Sequence, residues 1–141
     1  MAAYDPDNIF AKILKGEIPC HKLYEDEDAL AFLDIMPRTE GHTLVITKEK
    51  ARDLFDIDPA ALGRLMAVVQ TLAPKIKQAV GADGVLIQQF NGAAAGQTVF
   101  HLHVHIVPIK EGVAPKPHAG AMANPDDLAA TAEKIRKVLS G

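Results

Sequence analysis

The chain has little that would build a cross-linked, membrane-bound or metal-folded protein. Cys20 is its only cysteine, which excludes an internal disulfide and suits a reducing compartment. No CxxC or HExxH accompanies it, so the usual sequence signatures of a zinc site are missing. No apolar run approaches the ~20 residues of a membrane span. The N-terminal stretch Met1 to Asp5 lacks the basic-then-apolar pattern of a secretion signal. There is no basic surplus: the formal net charge is −3, which argues against a general nucleic-acid binder. Internal repeats are absent as well. A cytoplasmic protein that engages neither nucleic acid nor membrane is expected, and any anionic ligand must be held by local donors.

What is present fits one globular domain. The 141 residues are 48% hydrophobic and 23% charged, enough to bury a core without staples. Asp7 to Gly16 reads as a short helix, capped by Asp7 or Asn8 and ended by Gly16. His21 to Glu25 and Ala29 to Asp34 read as strands of a hairpin around the acidic turn at 26–28. After a break at 36–41 comes a third strand, His42 to Thr47. The longest helix starts at Asp58-Pro59; Leu62, Leu65, Met66, Val69, Leu72 and Ala73 recur at helical spacing, and Pro74 is expected to kink or split it. Val85 to Gln89 is a fourth strand, followed by the Gly/Ala loop Asn91 to Gly96. Residues 113–125 form a proline-rich crossing, and 126–139 regain helical period with acids first and bases last. An α+β fold with a roughly five-stranded antiparallel sheet results.

From His101 to Val107 polar and apolar residues alternate, the period of a strand with one buried face. Leu102, Val104 and Ile106 point to a core. His101, His103 and His105 then stand in a row, with neighbours roughly 6.6–6.8 Å apart. Imidazole changes charge nearest neutral pH, so the row is a dense cluster of proton-handling groups. One metal ion cannot reach all three along a straight strand, so a metal would need ligands from elsewhere. His21 and His118, each alone, read as ordinary surface or core residues. Gly96 permits a tight turn, and Thr98 adds a hydroxyl, so an anion has donors just upstream.

The pattern His101-x-His103-x-His105 resembles the signature of the histidine triad (HIT) family. Residues 7–13, 16–19, 31–35 and 41–46 are similar to its nucleotide-binding, Hint-type branch, and Gly96-Gln97-Thr98-Val99 resembles that family's phosphate loop. The likeness covers about residues 7–110. It implies an antiparallel sheet of about five strands, a homodimer, and enzymes that transfer or hydrolyse nucleoside monophosphates without a cofactor or metal.

Residue by residue, the resemblance implies His103 as nucleophile, with His105 donating to the phosphate and helping to protonate the leaving group. His101 and His42 orient the cluster. Gln97, Thr98 and Gly96 lie at the phosphate, Asp34 accepts from the ribose hydroxyls, and Ile9, Phe10, Ile13, Phe32, Ile35 and Leu44 form the base slot. Strict alternation would put Thr98 on the wrong face, so a bulge or turn near Val99 is required. Phe90 stands where relatives carry an amide, which leaves Asn91 as the candidate to reach the phosphate. The implied substrate is a purine nucleoside phosphoramidate. The alternatives are a dinucleoside polyphosphate, as for the Fhit branch, or nucleotide binding without catalysis.

Overall fold

The computed structural model describes residues 3–118 and 120–141. Three helices and five strands follow in the order α1 (Ile9–Leu14), β1 (Lys22–Glu25), β2 (Ala29–Leu33), β3 (Thr43–Thr47), α2 (Pro59–Val80), β4 (Gly84–Gln88), β5 (His103–Ile109) and α3 (Pro125–Ser140), with a short 3-10 turn at Ala93–Ala95. The strands form one sheet in the order β1-β2-β3-β5-β4. Every pairing is antiparallel. The architecture is α+β, as the pattern of elements predicts. Among the described residues no helix is long and apolar enough to cross a membrane.

Helix ends follow local chemistry. Asn8 caps α1 by accepting from the Ala11 N–H, Asp58 caps α2 through the N–H groups of Ala60 and Ala61, and Asn124 caps α3 through that of Asp126. Gly81 closes α2 in the left-handed conformation, φ 68°. Pro74 does not split α2, which runs unbroken for 22 residues. A proline inside a helix costs about 3 kcal/mol. Against that, Leu65, Val68, Val69, Leu72, Ile76 and Val80 are buried along one face, each worth roughly 1.5–3 kcal/mol, so tertiary packing overrides the local break.

The sheet has two unlike faces. On one, α2 and α3 cover the main core, to which Leu33, Val45, Leu102, Val104 and Ile106 contribute. On the other, α1 lays Phe10 against Leu30, Phe32, Leu44 and Ile46. Cross-strand register sets His103 opposite Ile46 and His105 opposite Leu44, so both imidazoles share this second face. The strand begins at His103, two residues later than alternation suggests. Leu102 is bonded instead to the end of β3 and the segment after it, accepting from Thr47 N–H and donating to Ala51 O. The chain from Val99 to His101 is bent, which supplies the turn that Thr98 requires.

Candidate active site

The four histidines at 42, 101, 103 and 105 are all nearly inaccessible, between 1% and 6% exposed. Their partners fix where each ring proton sits. The Arg38 N–H donates to His42 Nδ1 at 3.0 Å, so His42 carries its proton on Nε2. That Nε2–H faces His105 Nδ1 at 2.9 Å, so His105 accepts there and is protonated on Nε2. On the other side of the site His101 Nε2–H donates to Thr47 O at 2.7 Å, which leaves Nδ1 to accept from the Tyr4 hydroxyl, also at 2.7 Å. His103 Nδ1–H donates to His101 O at 2.6 Å, leaving Nε2 with its lone pair. Neighbouring rings therefore present opposite faces of imidazole chemistry: a lone pair on His103 and an N–H on His105.

Electrostatics keep this arrangement neutral. Burial is the main cause that holds the His42 and His103 imidazoles down to about 4. It lowers His101 in the same direction. His105 is pushed down by burial and then by the neighbouring His103 and His42. His105 Nε2 is buried and has no hydrogen-bond partner among the described residues. A buried unpaired N–H costs about 1–3 kcal/mol, and such exceptions concentrate where a structure has chemistry to do.

A cavity opens beside these rings, lined by Ile9, Phe10, Ile13, Phe32, Asp34, Ile35, Leu44, Thr98, His103 and His105. The whole expected base slot is therefore in one place. Ile9 and Ile35 are 46% and 44% exposed, so they serve the cavity wall more than the core. Phe10 meets the His103 ring edge-on with centroids 4.9 Å apart. Asp34 does two things. Its Oδ1 accepts from the Met36 N–H at 2.8 Å and so braces the turn, while Oδ2 lies 3.6 Å from His42 Nε2 at the cavity edge. Burial raises this carboxyl above its usual range.

The phosphate end differs from expectation. Gln97 is 3% exposed, and its amide is fully engaged inside the loop. It accepts from the Gly92 N–H at 2.8 Å and donates to Arg52 O and Val99 O at 2.7 and 3.0 Å. Gln97 thus braces the loop instead of lining the cavity. Asn91 also turns away, accepting from the Leu54 N–H and pairing twice with Gln89. The Gly96 and Gln97 N–H groups bond to Ala93 O and Gly92 O, so Thr98 is the expected loop residue that does line the cavity.

Several contributors were not foreseen. His118 lines the cavity, brought from the proline-rich crossing, and its ring lies 5.5 Å from that of His105. Cys20 lines it too. Tyr4 and the Arg38 N–H act through the histidines described above. Nothing in local pattern marks these residues, because each is placed by a contact with a distant part of the chain.

Among the described residues, Asp34, His42 and His105 form the one group able to hold a metal ion, with ligand atoms within 4.8 Å of one another. Its hydrogen bonds oppose that use. A metal on His42 Nε2 would displace the proton facing His105 and force it onto Nδ1, against the Arg38 N–H. The donor set fits a relay better than a metal centre.

Residues 15–112 match the family model described as HIT domain. The chain is 42% identical over 105 residues to the adenylylsulfatase HINT3 of Arabidopsis thaliana, covering 74% of this chain and 53% of that protein. It is 42% identical over 100 residues to the adenosine 5'-monophosphoramidase hnt1 of Schizosaccharomyces pombe, covering 71% and 72%. The solved structure of a Hit-like protein from Bartonella henselae superposes with a TM-score of 0.92 at 46% identity, covering 97% of this chain and 99% of that one.

Proposed function

The chain belongs to the HIT domain family, and from that premise we propose that it hydrolyses the P–N bond of purine nucleoside phosphoramidates through a nucleotidyl-His103 intermediate. The observation that carries this reading is the hydrogen-bond pattern that assigns opposite tautomers to His103 and His105 at one cavity wall. His103 Nε2, its lone pair set by the bond from Nδ1–H to His101 O, attacks the α-phosphorus. His105 Nε2–H donates to a phosphoryl oxygen as negative charge builds there, the kind of preoriented donor that stabilises a transition state. The amine leaves with a proton; water then attacks phosphorus and frees His103. Asp34 Oδ2 accepts from ribose, and the slot between Ile9, Phe10 and Ile35 takes the base.

Two relatives whose names are an adenosine monophosphoramidase and an adenylylsulfatase support a nucleotidyl group as the common half of the substrate. A homodimer fits the sheet's free side. Edge strand β4 exposes Leu86 and Ile87 at 37% and 42%, whereas on the opposite edge the Arg136 side chain covers Lys22 O.

The test is turnover of an adenosine phosphoramidate and of a dinucleoside polyphosphate by the purified protein. Preference for the phosphoramidate is expected, with His103→Ala lowering kcat/KM by at least about 10³-fold. Equal activity of the variant, or turnover of the polyphosphate alone, would contradict the reading.

A further inference from the structure

The relay through His105 carries hydrogen bonds but has no proton to pass on. Its last member is a backbone amide, Arg38 N–H, which cannot release one. Burial favours the neutral form of both rings. An amine departing from phosphorus must nevertheless take up a proton, and neither amide expected at the phosphate end reaches it: Gln97 and Asn91 are engaged elsewhere.

Besides Cys20 and the Asp34 carboxyl, which the reading above gives to the ribose, His118 is the titratable side chain that lines the cavity with His103 and His105. It rides on the crossing between β5 and α3, which is clasped to the site. Lys116 N–H donates to Arg38 O at 2.8 Å, and Arg38 Nε donates back to Lys116 O at 3.0 Å. The His118 ring is in mutual contact with Phe90 and His105, centroids 5.2–5.5 Å apart. Phe90 thus packs the His118 ring in place beside His105. His118 Nε2–H donates to Gly96 O at 3.1 Å, which ties the ring to the loop and leaves Nδ1 as the nitrogen for a ligand.

We propose that His118 is the general acid and base of this site. In the first step the P–Nε2 bond to His103 forms and the P–N bond to the amine breaks, while imidazolium His118 gives its Nδ1 proton to the leaving nitrogen. In the second step neutral His118 Nδ1 takes a proton from the attacking water as the P–Nε2 bond breaks, which restores the imidazolium. The inference rests on the hydrolase reading above and adds a residue to it.

The test compares two substrates that share the nucleotidyl half: an adenosine phosphoramidate with an alkylamine leaving group, and the p-nitrophenyl ester of the same nucleotide, whose leaving group departs without a proton. His118→Phe keeps an aromatic ring against Phe90 and His105, and His118→Gln keeps an amide able to donate to Gly96 O without supplying a proton. Both variants are expected to lower the amine-to-ester ratio of kcat/KM by about 10²-fold or more, the scale of general acid catalysis. An unchanged ratio in both variants, or a His118→Gln ratio matching wild type, would overturn the role. If the wild-type protein cleaves neither substrate, the hydrolase reading falls and takes this inference with it. Turnover by wild type with an unaffected ratio in the variants removes the inference alone.

Discussion

Replacing His42 with phenylalanine isolates the step on which the chemistry turns. The imidazole is 1% exposed and the ring it donates to is 3% exposed, so the 2.9 Å bond to His105 Nδ1 has no water to replace it. Its removal leaves a buried acceptor unpaired, at a cost of about 1–3 kcal/mol. His105 relieves that cost by moving its proton to Nδ1 or turning its ring, and either change withdraws the N–H from the phosphoryl oxygen. At 1.36 kcal/mol per factor of ten, kcat/KM is expected to fall roughly 10–100-fold. His42→Gln, whose amide nitrogen reaches about as far as imidazole Nε2, should recover most of it. The loss of the acceptor for Arg38 N–H appears in both variants and so cancels from the comparison. Steady-state kinetics measure the rates, and nitrogen-15 shifts of the His105 ring report its tautomer. Wild-type activity in His42→Phe, or a His105 proton found on Nδ1 in the wild type, would refute the relay.

Further outcomes follow from the same structure. His42 and His103 titrate near 4 in the fold against an ordinary value of 6.5, so below pH 6.5 the unfolded chain binds more protons. Stability is therefore level above about pH 7 and declines as pH falls toward 4, by at most roughly 2 kcal/mol per histidine at pH 5; a flat urea-unfolding profile from pH 7 to 5 would contradict their neutral burial. Gln97→Leu strips partners from Gly92 N–H, Arg52 O and Val99 O and should cost about 3 kcal/mol in denaturant unfolding. Unchanged stability with a large loss of activity would return Gln97 to the phosphate. Gly41 has φ +88°, and a Cβ there would lie 2.9 Å from Val80 Cγ1 and 3.3 Å from Pro108 Cγ; Gly41→Ala should destabilise by about 2–4 kcal/mol, and a neutral result in the same assay would refute the close approach.

Local pattern revealed what local physics controls. The alternation from His101 to Val107 placed Leu102, Val104 and Ile106 in the core, and the helical period of 126–139, with acids first and bases last, marked the ends of α3 within a residue. The six residues that the resemblance implies for the base slot come from three short segments, on α1, at the end of β2 and on β3, and the fold brings all of them to one cavity. Pro74 does not split α2 because the buried side chains along the helix outweigh one missing hydrogen bond. Gln97 and Asn91 were assigned to the phosphate end by likeness, yet where an amide points depends on Arg52, Leu54 and Gln89, none of which the motif contains. His118 was the least visible of all. A lone histidine in a proline-rich crossing has no period and no motif; the clasp between Lys116 and Arg38 and the bond to Gly96 O carry it to His105.

The central claim is a covalent bond between phosphorus and one ring nitrogen. Rapid quenching of the protein with a slowly turned-over adenosine phosphoramidate, followed by peptide mass spectrometry under alkaline conditions, tests it most directly. The account predicts a nucleoside monophosphate adduct on His103, formed and lost at rates compatible with kcat. Turnover with no adduct, or an adduct on a different histidine, would contradict it.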